Sequence, residues 1–172
     1  WVFDAVTAGK WPRIPGLRAA DVSGTADFLA FSYYGGAVVK FSGLRPGRLF
    51  TQIVDDGGRP VRNLRTQPCA DGLREIIEGY GRYNLPLLIS GNGIAAVDDV
   101  DRCGFLLDHV SVMLDSMKRG ADLRGYFWYS LLDGFEWTDG YGPRYGLIHV
   151  DQASLARTPN SRPMRWYVSV SR

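Results

Sequence analysis

The chain has 172 residues, 45 % hydrophobic and 13 % aromatic, enough to bury one ordinary core and so to make one domain. Twenty basic against eighteen acidic residues leave a net charge of +2, scattered without a polybasic tract. That balance argues against a nucleic-acid or anionic-membrane binder, and no run of about eighteen apolar residues is present to span a bilayer.

The two cysteines, Cys69 and Cys103, have no metal-ligand spacing, and two thiols fit a reducing compartment at least as well as one disulfide. Neither a starting Met nor a signal-peptide pattern precedes Trp1, so an excerpt or processed product is expected, with a cytoplasmic location.

In chain order, Trp1, Val2, Ala5 and Val6 have helical spacing up to Gly9, and an irregular stretch then runs from Trp11-Pro12 to about Thr25. Asp27 to Val39 is dense in Phe, Tyr, Leu and Val and predicts a strand breaking at Gly35-Gly36. Period two places Phe28, Ala30, Ser32 and Tyr34 on one face and Leu29, Phe31 and Tyr33 on the other. Both faces are mostly apolar, which predicts a parallel strand covered on both sides. Gly43 to Ala70 is rich in Gly, Pro, Arg and Asp and predicts a long loop with room for a short hairpin. Its Asp55-Asp56 pair is either a catalytic or metal-binding pair or, more commonly for such a sequence, a solvated turn.

From Asp71, Leu73, Ile76, Ile77 and Tyr80 form one stripe of a helix that ends near Tyr83-Asn84. Leu85 to Ser90 predicts a short strand running into Gly91-Asn92-Gly93. Asp98 to Arg119 predicts a long helix burying Phe105, Leu106, His109, Val110, Met113, Leu114 and Met117, ended by Gly120. Arg124 to Leu132 predicts a third strand, Tyr141 to Val150 a loop with a short strand, and Arg162 to Val170 a closing helix with Trp166 and Tyr167 inward. His109 and His149 read as structural histidines. Strands alternating with helices predict an α/β fold with a parallel sheet. Three strands apolar on both faces would leave bare apolar edges, so further strands are expected to complete the sheet.

Trp128 to Trp137 empties an apolar strand into a loop that sets Glu136 between Phe135 and Trp137. A carboxylate flanked by rings suits a ligand with hydroxyls on its edge and C–H groups on its face, as sugars have.

Several stretches carry a family likeness. Asp27-Phe28-Leu29 through Tyr33-Tyr34 resembles the D-F-L-G-I-N-Y-Y strand of family 1 glycoside hydrolases, and Pro86 through Gly93 with Asp98, Asp99 and Arg102 resembles their P-I-Y-I-T-E-N-G strand and helix start. Gly125-Tyr126-Phe127 to Trp137, then Gly140-Tyr141 and Arg144 to Leu147, is similar to G-Y-F-x-W-S-L-x-D-N-F-E-W…G-Y…R-F-G-L. Phe3-Asp4, Gly9 to Pro12, Val150-Asp151, Arg157 to Pro159 and Trp166-Tyr167 extend the likeness collinearly over nearly the whole chain.

The resemblance implies the C-terminal part, about strands six to eight, of a (β/α)8 TIM barrel, with residues 1–172 forming one segment and the first strands coming from a missing region or another chain. It implies two carboxyl groups roughly 5–5.5 Å apart in active members, an acid/base from an N-E-P motif absent here and a nucleophile at the Glu of T-E-N-G. The residue matching that nucleophile is Gly91, which has no side chain. Tyr129, Ser32, Gly134 and Ser90 also stand where the family has Trp, Asn, Asn and Thr. By the same likeness Glu136, Trp137, Tyr129, Tyr34 and Tyr145 hold the sugar, with Tyr33 the weaker alternative to Tyr34. No metal or organic cofactor is called for. Three functions are expected to compete: a sugar-binding barrel segment without ordinary retaining hydrolysis, one chain of a split or engineered glycosidase (Asp55 or Asp56 being its nearest substitute carboxylate), or a non-catalytic interaction subunit.

Overall fold

The computed structural model describes residues 2–10, 22–43, 51–54, 68–96, 98–159 and 161–170. The Asp55-Asp56 pair and residues 11–21 of the irregular stretch lie outside them. The elements are α1 (Val2–Ala8), β1 (Leu29–Ser32), β2 (Val38–Phe41), β3 (Thr51–Val54), α2 (Ala70–Gly81), β4 (Leu87–Asn92), α3 (Asp99–Lys118), β5 (Leu123–Trp128), β6 (Ile148–Val150), β7 (Arg157–Pro159) and α4 (Ser161–Val170).

Three parallel strands form the sheet in the order β1-β4-β5, joined by crossovers through α2 and α3. This is the α/β arrangement that the alternation of elements predicts. The helices cover one face. Leu29 and Tyr33 from β1 and its exit, Leu87 and Ile89 from β4 and Leu123 from β5 pack with Leu73 and Ile77 of α2 and Val112 and Met113 of α3. Burying a side chain such as Leu73 or Ile77 contributes roughly 1.5–3 kcal/mol, before the entropy of ordering the chain is set against it.

The other face is open, against the expectation of cover on both sides. Ala30, Ser32, Ser90 and Phe127 are exposed along it, because no described element forms a second layer there. The strand expected to reach Leu132 stops at Trp128. Leu131 and Leu132 belong to a loop and are 60 % and 36 % exposed, their apolarity having mimicked a longer strand.

Local signals account for the ends of α3. Asp98 caps it, its Oδ1 accepting from the N–H groups of Val100 (3.0 Å) and Asp101 (2.9 Å). Gly120 follows with φ 99°, and the N–H of Ala121 reaches back to Ser116 O (3.0 Å). The buried stripe of α3 is Arg102, Cys103, Phe105, Leu106, His109, Val112, Met113 and Ser116. Leu114 and Met117, expected inside, lie on its flank, 50 % and 47 % exposed. Trp166, also expected inside, is 43 % exposed, and it is Met164 and Tyr167 of α4 that pack on Phe105, Leu106, Trp128 and Leu147. The short hairpin begins before the predicted loop, at β2, which pairs antiparallel with β3. A second small ribbon, β6 with β7, had no expected partner strand.

Candidate functional site

Of the residues singled out from sequence, Ser32, Tyr34, Gly91, Tyr129, Glu136 and Tyr145 meet at the carboxyl ends of the three parallel strands. β1 ends at Ser32 and delivers Tyr33 and Tyr34; β4 carries Gly91 as its fifth residue; β5 ends at Trp128 and delivers Tyr129. Ser32 is the register partner of Gly91, and Tyr33 N donates to Gly91 O at 2.8 Å. Pairing therefore fixes Tyr34 beside position 91. A Cβ built on Gly91 would lie 2.7 Å from Tyr34 Oη and 3.1 Å from Ser32 Oγ. Ser32 Oγ in turn shares a hydrogen bond with Ser90 Oγ at 3.2 Å.

Three tyrosines close over this point, edge to face. Ring centroids lie 5.9 Å apart for Tyr34 and Tyr129, 6.3 Å for Tyr34 and Tyr145, and 5.5 Å for Tyr129 and Tyr145. The Tyr129 hydroxyl donates to Glu136 Oε1 at 3.0 Å, which ties the carboxylate to the ring cluster. Burial raises the phenol pKa of all three above the ordinary value, and the Glu136 charge adds to it at each, at Tyr129 also through the hydrogen bond. Glu136 sits in a tight turn in which its N–H donates to Gly140 O (2.8 Å) and the Gly140 N–H returns to Glu136 O (2.7 Å). Trp137 stands apart from the cluster, 95 % exposed at the tip of that loop.

The alternation that favours Tyr34 over Tyr33 holds. Tyr33 points to the helix side, where its hydroxyl donates to Cys69 O (2.6 Å), and burial drives its pKa upward. His109 is a core residue, stacked on Phe105 at 3.8 Å with Nδ1 on Phe105 O (2.8 Å), and burial lowers its pKa. Cys69 and Cys103 are both free thiols.

Sequence reasoning missed the polar scaffold. Asn92, fully buried, donates through Nδ2 to Tyr33 O (2.5 Å) and accepts from Tyr126 Oη (3.0 Å), so one side chain links all three strand ends. Arg102 is buried on α3, and its Nη2 holds the carbonyls of Ala96 (2.8 Å) and Arg144 (3.0 Å), next to Tyr145. Asp133 is buried against His149 and Gly146. Asn92 and Asp133 each close an apolar run, whereas Arg102 sits among acidic residues and gives no such signal; most of their partners lie too far along the chain to be named from sequence.

Among the described residues no group of three or more His, Cys, Asp or Glu converges as a metal ion would require, and no helix is long and apolar enough to cross a membrane. Chemically, the arrangement offers hydroxyl donors, one anchored carboxylate and ring faces, with no carboxylate at position 91.

The model for glycosyl hydrolase family 1 matches residues 4–172. The chain is 33 % identical over 137 residues to the galactolipid galactosyltransferase SFR2 of Arabidopsis thaliana, covering 77 % of the chain and 21 % of that protein. It is 32 % identical to a beta-galactosidase of Saccharolobus solfataricus, covering 88 % of the chain and 33 % of the relative. Among solved structures, a beta-glycosidase from Pyrococcus horikoshii superposes with a TM-score of 0.78 at 30 % identity, covering 94 % of this chain and 38 % of that one. The chain thus spans between about a fifth and two fifths of these relatives. It belongs to glycosyl hydrolase family 1.

Proposed function

We propose that the chain is the C-terminal part, about strands six to eight, of a family 1 (β/α)8 barrel. In this reading it binds a β-glucoside-type sugar through Glu136, Trp137, Tyr129, Tyr34 and Tyr145, and is impaired in retaining hydrolysis. The single observation that carries the reading is Gly91 in place of a carboxylate at the end of β4, directly under the Tyr34 hydroxyl. A retaining mechanism needs a nucleophile that attacks the anomeric carbon and an acid/base that protonates the leaving oxygen. Glycine supplies neither a nucleophile nor a charge to stabilise an oxocarbenium ion. What the site retains is grip. Glu136 accepts hydroxyls, and the tyrosine hydroxyls and rings suit the polar edges and C–H faces of a pyranose.

A second reading has one observation in its favour. Among the described residues no strand pairs with the outer edges of β1 and β5 or covers the exposed face, so strands from a partner chain or a second copy would complete the sheet. In that case the acid/base would come with those strands.

The test is the mass and composition of the natively purified particle, followed by an aryl β-glucoside assay with and without azide or formate. Binding without turnover, with turnover appearing when the anion is added, supports an empty nucleophile position at Gly91. Unaided hydrolysis by a particle holding a second chain overturns the impaired reading and supports the split enzyme. No glycoside binding at all removes the sugar function.

A further inference from the structure

One carboxylate lies between the two loops that carry the site, and nothing above gives it a role in ligand binding. Asp133, whose side chain is 5 % exposed, accepts through Oδ1 from Gly146 N–H (2.9 Å) and through Oδ2 from His149 Nδ1 (2.7 Å) and Val150 N–H (3.4 Å). Against a carboxylate, His149 Nδ1 must be the donor. The Asp133 main chain joins the same segment, its N–H donating to Ile148 O at 3.1 Å. Three residues beyond Asp133 is Glu136 in its tight turn. One residue before Gly146 is Tyr145, whose carbonyl accepts from Trp128 Nε1 (3.0 Å) and Ser130 N–H (3.2 Å). Gly146 itself admits no side chain, since a Cβ there would fall 2.6 Å from Ile148 O and 2.7 Å from Leu132 C.

We infer that Asp133, with His149 as its side-chain donor, is the positioning residue that fixes Glu136 relative to Tyr145. This rests on the reading of those two residues as sugar-binding. The Glu136 loop is also held at its start by Leu147 N–H on Ser130 O (3.0 Å) and Ile148 N–H on Leu131 O (2.9 Å), and at its tip by Tyr129 on Glu136 and the Phe135 ring against Tyr141. Leu131, Phe135 and Trp137 are exposed, so the buried side chain at its base is Asp133. The buried carboxylate gathers three donors from residues 146–150, and removing it leaves those donors unpaired in a site where water has little access. A ligand that bridges Glu136 and the tyrosines binds well only when the two loops keep their spacing, and a displacement of about 1 Å costs up to roughly a hundredfold.

The test uses the natively purified protein with Asp133→Ala, His149→Ala and His149→Asn. Two quantities are read well below the unfolding transition: affinity for an aryl β-glucoside by calorimetry, and amide hydrogen exchange at Glu136, Asp139 and Gly140. Asp133→Ala is expected to weaken binding roughly tenfold to a hundredfold. It should also speed exchange at those three amides, while those of Ile77 and Met113 in the core stay protected. His149→Ala should move both readouts in the same direction by less, and His149→Asn, whose Nδ2 falls near the lost Nδ1, should restore them. A merely structural role would lower the unfolding transition in all variants without this local pattern or the rescue. Unchanged exchange around Glu136 in Asp133→Ala overturns the inference. If Asp133→Ala does not fold, His149→Ala at its part-exposed position decides it in the same way. If the unsubstituted protein binds no glycoside, the sugar reading fails on its own, and the exchange data still decide the positioning.

Discussion

Tyr34 Oη stands 2.7 Å from the point that a β-carbon on Gly91 would occupy, and Ser32 Oγ stands 3.1 Å from it on the neighbouring strand. The place of the absent side chain is therefore bordered by the far ends of two side chains and not by backbone. The Tyr34 hydroxyl must shift to admit the β-carbon, as the far end of a side chain can, while Ser32 Oγ needs to give by only a few tenths of an ångström. Gly91→Glu is expected to fold and to place a carboxylate against the Tyr34 hydroxyl. In the native particle, aryl β-glucoside hydrolysis should rise by at least about 10³-fold, since losing a covalent nucleophile typically costs that much or more. An unchanged rate in a folded variant would sink the idea that position 91 is what the site lacks.

The tyrosine cluster supplies a spectroscopic handle on Glu136. Burial first holds the Tyr34, Tyr129 and Tyr145 phenols above their ordinary value near about 10; Glu136 adds to it through its hydrogen bond and charge at Tyr129, through its charge at Tyr145, and at Tyr34 through its charge after the neighbouring tyrosines. Glu136→Gln removes a negative charge and so makes tyrosinate less unfavourable. The tyrosinate absorbance titration should shift to lower pH, staying above the ordinary value because burial persists. Asp115→Asn, which alters a carboxylate paired with Arg74 and Arg119 where α2 meets α3, should leave the three phenols where they are. A titration unmoved by Glu136→Gln would mean that Glu136 does not face the rings.

Glycines differ in what they tolerate, and two of them make a controlled comparison. At Gly146 a Cβ would press on backbone atoms of Leu132 and Ile148, which cannot move aside, whereas at Gly79 in α2 nothing lies within 4 Å. Gly79→Ala is expected to stabilise the protein by about 0.5–1 kcal/mol through helix propensity. Gly146→Ala should destabilise it by about 1–3 kcal/mol and loosen the Tyr145 segment. Urea unfolding midpoints check both. Equal and small effects would contradict the close approach at Gly146.

Much of this was legible because it is local. The stripe of Leu73, Ile77 and Tyr80, the cap at Asp98 and the stop at Gly120 each depend on residues a few positions apart. Placing Tyr34 on the face of Ser32 also needed only period two, while its place beside Gly91 came from the family likeness. The failures share a cause. Leu131, Leu132, Leu114, Met117 and Trp166 are apolar residues left exposed, and the sequence holds no mark of which apolar surface goes uncovered. Asn92, Arg102 and Asp133 each reach a partner 13 or more residues away, as far as 59 for Asn92, so their roles appear only once the chain is folded.

Acid should weaken the packing of α2 on α3 through one carboxylate. Asp115 accepts from Arg74 on α2 and, at 2.7 Å, from Arg119 Nη2, while Arg119 Nη1 meets Glu78 Oε1 at 3.3 Å. The hydrogen bond from Arg74 most of all, with the Arg119, Arg74 and Lys118 charges, holds the Asp115 carboxyl below the usual carboxylate range, against an opposing effect of burial second only to that hydrogen bond. Because the folded pKa is the lower one, the unfolded chain takes up the proton first. The contribution is thus fully present above the unfolded value of about 3.9 and is lost as pH falls through the folded one. Asp115→Asn should lower the urea midpoint at pH about 6 and flatten its decline below pH about 4. The slope should not vanish, since the Asp4, Asp122 and Asp151 carboxyls are held low as well. Raised salt should shrink the difference between the two proteins, because these charges face solvent. Parallel pH profiles for parent and variant would show that the arginines beside Asp115 add nothing to the stability of the fold.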